Sequence, residues 1–128
     1  MSVSFGGMGE FIATFKTNGV VAAGNPVKMQ GNGTVQACSN GDRFCGIAIA
    51  VADDGYATVQ LGGYVKATYS GSAFSVGHAY AVAASDGKVK ADAGTDIGTD
   101  PDTITKYTGS EVLVIDVDTT AKTVGFIM

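Results

Sequence analysis

The chain has 128 residues, of which 45% are apolar and only 16% charged, with 19 glycines, two prolines and a net charge of −4. That length suits one domain with its own core, and the high apolar content argues against a disordered tail. The acidic balance, with Lys and Arg scattered from Lys16 to Lys122, argues against nucleic-acid binding by phosphate neutralisation; no apolar run approaches the roughly 20 residues that span a bilayer, so no membrane partner is expected.

The N-terminus, MSVSFGGMGEF, lacks the basic start and apolar centre of a secretory signal. It is rich in glycine and predicts an extended arm over 1–15, ending in or before the first strand. Phe5, Phe11 and Phe15 fall in this stretch beside Met8 and Ile12. An apolar arm gains most by laying itself on another chain, adding a strand and filling pockets with alternate side chains. For FIATF (11–15), where Phe11, Ala13 and Phe15 share a face, two readings stand: an intermolecular strand, or the first strand of the domain's own core.

From residue 16 onward the sequence predicts a single β domain. Asn18-Gly19, Asn32-Gly33, Asn40-Gly41, Asp54-Gly55 and Asp86-Gly87 are tight-turn dipeptides. Between them run short period-two segments, with faces predicted at Val35/Ala37, Ile47/Ile49/Val51, Ala57/Val59/Leu61, Val65/Ala67/Tyr69, Leu113/Ile115/Val117 and Val124/Phe126/Met128. No stretch holds a helical period with caps. GNPVKMQGNGTVQA (24–37) aligns with GHAYAVAASDGKVKA (77–91) if the second turn takes one extra residue, and CGIAIAV (45–51) follows the first copy as EVLVIDV (111–117) follows the second. This pattern fits either a duplication or hairpins that reuse the same turn residues. Residues 92–109, DAGTDIGTDPDTITKYTG, form a polar loop longer than compact domains usually carry.

The sequence offers little for catalysis. GGMGE and GNGTVQ lack the Lys-Ser/Thr of a phosphate loop. His78 is the single histidine and has no nucleophile signature around it. Cys38 and Cys45 fit no zinc spacing; they either pair across a hairpin or remain reduced thiols, the state expected of a chain without a secretion signal. Asn32-Gly33-Thr34 matches a glycosylation acceptor by chance. Asp116 and Asp118 lie two apart and read as a polar strand face rather than a glycosidase pair. Asp86, Asp92, Asp96, Asp100 and Asp102 cluster loosely, without the regular calcium-loop spacing. No cofactor, no metal and no enzymatic activity are expected.

The run VAAGNPVKMQGNGTVQACSNGDRFCGIAIAVADDGYATVQLGGYVKATYSG (21–71) resembles the central part of small tailed-phage capsid decoration proteins, also called cement or head-stabilising proteins. The resemblance lies in a Gly-x-Pro-Val strand, a turn, an x-Val-x-Ala strand, a polar stretch, a Gly-Ile-Ala small-residue strand, a polar corner, and a strand ending in glycine. It implies a mainly β fold, a small barrel or sandwich of short hairpins of the β-tulip kind, with an extended N-terminal arm. It further implies a homotrimer on the outside of an expanded capsid, with the major capsid protein as partner. In that setting the arm residues Ser4, Phe5, Met8, Phe11, Ile12 and Phe15 are the expected capsid contacts. The lambda-type member has tryptophan and a proline-rich start; this chain has no Trp and a glycine-rich start. The alternative reading is a β-sandwich adhesion or carbohydrate-binding module that uses Tyr56, Tyr64 and Tyr69 as sugar platforms.

Overall fold

The computed structural model describes residues 10–98 and 104–128. Among them are twelve strands and no α-helix, so the fold is mainly β. The first five strands are β1 (Phe11–Thr17), β2 (Pro26–Gly31), β3 (Thr34–Ala37), β4 (Gly46–Val51) and β5 (Tyr56–Gly62). They close into a barrel in the order β1-β3-β2-β4-β5. Next come β6 (Tyr64–Thr68), β7 (Gly77–Ala83) and β8 (Val89–Ala91). A short hairpin of β9 (Thr95–Ile97) and β10 (Ile104–Lys106) precedes β11 (Ser110–Asp118) and β12 (Thr123–Ile127). The second sheet runs β6-β12-β11-β7-β8, and its two ends meet at a single parallel bridge between Tyr69 and Val89.

The two sheets are copies of one plan. In the first, β1 meets β3 in parallel at Thr17–Val35, and the Asn18 N–H donates to the Val35 carbonyl at 2.9 Å. In the second, Tyr69 meets Val89 in parallel, and the Ser70 N–H donates to the Val89 carbonyl at 2.9 Å. β4 skips one residue, Ile49, in its pairing with β5; β11 skips Ile115 in its pairing with β12. The turn after β4 carries Gly55 at φ 87°, and the turn after β11 carries Lys122 at φ 59°, each accepting the N–H of the matching strand residue, Thr17 or Tyr69. The match of 45–51 to 111–117 therefore falls in structural register, and the copy extends to β1 and β6, and to β5 and β12. The extra residue of the second copy is not in its turn. Met29–Val35 and Ala83–Val89 are equivalent pairs that enclose 30–34 and 84–88, segments of equal length. The additional residue lies earlier, between Gly77 and Ala81.

Bulges also correct two of the expected faces. Ile47 is buried, but past the bulge Ile49 and Val51 are exposed. On β11 the buried residues are Val112 and Val114 rather than Leu113 and Ile115, because strict alternation fails where the strand gains a residue; Val117 then packs against the core. The face Val65, Ala67 and Tyr69 is buried as expected.

Each repeat surrounds an apolar cluster, Val21, Val27, Val35, Ala48, Ala57 and Val59 in the first, and Val65, Tyr69, Val89, Val114, Val124 and Phe126 among those in the second. The clusters are not independent. Phe44 and Ile47, from the first repeat, are members of the second cluster, with the Phe44 ring 6.4 Å from that of Phe126. The connector 38–45 is stitched to the second repeat by the Gly41 N–H to Ala83 carbonyl bond, the Ala83 N–H to Asp42 carbonyl bond and the Ser110 hydroxyl to Phe44 carbonyl bond.

Candidate functional site

Of the predicted arm residues, Ser4, Phe5 and Met8 lie outside the described residues. Phe11 and Ile12 open β1, which pairs antiparallel with β5 from Phe11–Gly62 to Lys16–Tyr56. The strand 11–17 thus belongs to the protein's own barrel, which decides between the two readings of FIATF. Phe15 is half-buried and packs against the first core. Phe11 is 65% exposed and Ile12 46% exposed, although both belong to β1.

Exposure at Ile12 is informative because the second repeat supplies a control. Ile12, opposite Gln60, matches Tyr64, opposite Ile127; Thr14, opposite Thr58, matches Lys66, opposite Gly125; Ala50 matches Asp116. In the second repeat the outer face is polar and covered: the Tyr64 hydroxyl donates to Asp116 Oδ1 at 3.1 Å, and both lie over Gly125, where a Cβ would meet them. Burial and this bond hold the Tyr64 phenol above its ordinary value. In the first repeat the same face holds Ile12, Thr14, Ala50 and Thr58, with Tyr56 and Val51 exposed beside them around a shallow concavity of about 380 Å³. One backbone plan thus carries a bonded tyrosine–aspartate pair in one copy, and in the other exposed Ile12, Val51 and Tyr56 among Thr14, Asp54 and Thr58.

A second concavity, about 460 Å³, lies at the junction of the repeats. Leu61 and Cys45 line it from the first repeat; their structural equivalents, Met128 and Glu111, line it from the second. Met29, Phe44 and Val112 complete an apolar wall, with Lys28 and Arg43 at the rim. Lys28 forms an ion pair with Asp42, which raises the lysine and lowers the carboxyl relative to their ordinary values. Arg43 Nε donates to the Ser110 hydroxyl at 3.2 Å.

The remaining candidates resolve into structural roles. Cys38 and Cys45 are free thiols on opposite flanks of β2, their N–H groups donating to the carbonyls of Pro26 and Val27 respectively. Burial pushes Cys38 up to about 11 and raises Cys45 as well, so both remain thiols near neutral pH. Asp118 accepts the N–H groups of Thr120 and Ala121 at 3.0 Å and caps its turn, while Asp116 is held by Tyr64. The polar stretch 92–109 contains β9 and β10, anchored by Asp92, which accepts from the N–H groups of Gly94, Thr108 and Gly109, each at 2.9 Å. No group of three His, Cys, Asp or Glu suited to a metal ion occurs among the described residues. Of the three tyrosines of the sugar-platform reading, Tyr69 is buried and Tyr64 is engaged by Asp116, leaving Tyr56 exposed.

The unequal outer faces and the junction cavity carry no signal in the sequence alone, because both depend on how the repeats superpose. No family model and no curated protein matches the chain.

Proposed function

We propose that this chain is a structural virion protein that binds the outside of an expanded phage capsid as a homotrimer and reinforces the shell by bridging coat subunits. The observation that carries this reading is the outer face of the first repeat, where Ile12, Val51 and Tyr56 stand exposed among Thr14, Asp54 and Thr58. The second repeat builds the same strands with Tyr64, Lys66 and Asp116 at the matching positions, so the fold itself does not require apolar residues there. Exposed apolar patches that folding does not demand mark interaction surfaces. Phe11 and Ile12 lie at the start of β1, close in sequence to Ser4, Phe5 and Met8, and this reading assigns all five to contact with the major capsid protein. A specific contact needs roughly 1,600 Å² of total buried surface, and a symmetric shell repeats it at every site. The role uses no cofactor and no reacting group.

The test is co-sedimentation of the purified chain with expanded capsids. Wild type is expected to pellet with the shells, while a chain lacking residues 2–10, or carrying Ile12→Asp, pellets at least tenfold less at the same concentration. Equal binding by the deleted chain would remove the arm mechanism, and absence of binding by the wild type would remove the reading altogether.

A further inference from the structure

Asn18-Gly19, Asn32-Gly33 and Asn40-Gly41 share a chemistry that a turn does not require. In such a pair the glycine nitrogen can attack the asparagine side-chain carbonyl, because no Cβ on the glycine blocks the approach. All three asparagines are exposed, so access to solvent does not rank them. Hydrogen bonds do. Asn40 is held at both reacting groups: its Oδ1 accepts from Lys90 Nζ at 2.8 Å, and the Gly41 N–H donates to the Ala83 carbonyl at 2.8 Å. Asn18 donates its side-chain amide to Gln36 Oε1 at 3.3 Å. At Asn32, among the described residues, nothing bonds the side-chain amide or the Gly33 N–H. Gly33 sits on the hairpin tip at φ 61°, with open space where a Cβ would point.

We infer that Asn32 is a site of spontaneous self-modification, converting to aspartate and isoaspartate ahead of Asn18 and Asn40, with Thr34 as its positioning residue. Thr34 Oγ1 donates to the Asn32 carbonyl at 3.2 Å, and that carbonyl belongs to the peptide whose nitrogen is the nucleophile. Drawing electron density onto the oxygen makes the Gly33 N–H more acidic. Once a solvent base has taken the proton, the nitrogen bonds to Asn32 Cγ, the Cγ–Nδ2 bond breaks, and Nδ2 leaves as ammonia. Water then opens the succinimide ring. Attack at Cγ leaves aspartate; attack at the main-chain carbonyl routes the backbone through Cγ as isoaspartate. Nothing is oxidised or reduced, and water is the co-reactant. The second product strikes the barrel. The Gly33 carbonyl accepts the Lys16 N–H at 2.9 Å, and Lys16–Thr34 and Thr17–Val35 are the pairs that join β1 to β3. An extra backbone carbon just before Gly33 displaces that carbonyl and loosens the parallel seam. The inference goes beyond the shell-binding reading and stands without it.

The test is peptide mapping of the full folded chain during long incubation in mildly alkaline buffer, with ammonia release and isoaspartate methyltransferase labelling as readouts. Asn32 is expected to convert at least about tenfold faster than Asn40, which must give up two hydrogen bonds to react, with Asn18 between them. In urea, where the fold is gone, the three pairs are expected to convert at similar rates. Thr34→Val is expected to slow conversion at Asn32 about fivefold, the effect of one hydrogen bond, and Thr34→Ser to restore it. Amide exchange at Lys16 is expected to rise with the isoaspartate fraction. An Asn32 that stays intact, or Asn18 or Asn40 converting first in the folded chain, would overturn the inference, as would the same ranking persisting in urea. Equal rates in Thr34→Val and wild type would remove the part given to the hydroxyl, and unchanged exchange at Lys16 would remove the effect on the seam.

Discussion

Tyr69 shows how strongly the second core is committed to apolar packing. Its side chain is buried, its ring meets Phe74 edge-on at 5.9 Å, and the Lys122 ammonium lies 5.9 Å from the ring centre. Its hydroxyl, however, is buried with no hydrogen-bond partner. The matching residue in the first repeat, Thr17, has its hydroxyl satisfied by the Gly55 carbonyl at 3.1 Å. An unsatisfied buried hydroxyl costs about 1–3 kcal/mol. Tyr69→Phe removes that penalty and keeps the ring, so it is expected to raise unfolding stability by about 1 kcal/mol, seen as a higher urea midpoint with an unchanged slope. A lower midpoint would mean that the hydroxyl finds a partner in solution.

At the scale of elements, the β9–β10 hairpin depends on its base rather than on its own strands. All six of its strand residues are exposed, and an isolated two-stranded ribbon is marginal in water. Asp92 supplies the anchor through three backbone N–H groups, and Tyr107 stacks on Tyr80 with ring centres 4.1 Å apart. Burial alone would raise the Asp92 carboxyl, but those N–H groups outweigh it and hold it below its ordinary value of 3.8. The sign follows from linkage: the anchor is complete above that ordinary value and is lost as pH falls through the lower folded value. Asp118 is lowered in the same sense by the turn it caps. Asp92→Ala is expected to cost about 2 kcal/mol and to speed amide exchange at Gly94, Thr108 and Gly109 at neutral pH, while wild type loses the protection of these amides, relative to their intrinsic exchange, only once pH falls below the ordinary carboxyl value of 3.8. Exchange unchanged by the substitution would place the anchor in the tyrosine stack instead.

Most of the strands were legible because turn dipeptides and period-two runs are local signals. The bulges at Ile49 and Ile115 were not, since a bulge is set by the partner strand and leaves the alternation of the sequence intact. That is why Leu113 and Val112 exchanged roles. Short strands within 92–109 were hidden for a related reason: polar, exposed residues such as Thr95 and Lys106 give no apolar periodicity to read. The leader's apolar character was plain, but the bare face beside Ile12 became visible only once the second repeat supplied its polar counterpart.

At the scale of the whole molecule, the two repeats are coupled because Phe44 is threaded from one into the core of the other. It is buried against Phe126, and its carbonyl is tied to Ser110. Phe44→Ala is expected to cost about 3–5 kcal/mol and to lower the melting of both repeats together, in one calorimetric transition. Two separated transitions in the variant would show that the cores fold independently. Closure of the first barrel has a further consequence. Rows of unpaired peptide groups are what let β proteins zip onto one another when concentrated, and closing the strand cycle shortens them. The ribbon of β9 and β10 still turns such rows outward, and there Asp96 and Lys106 place charge along them. Densely crowded copies of this chain therefore meet an electrostatic guard at that lane for unwanted growth.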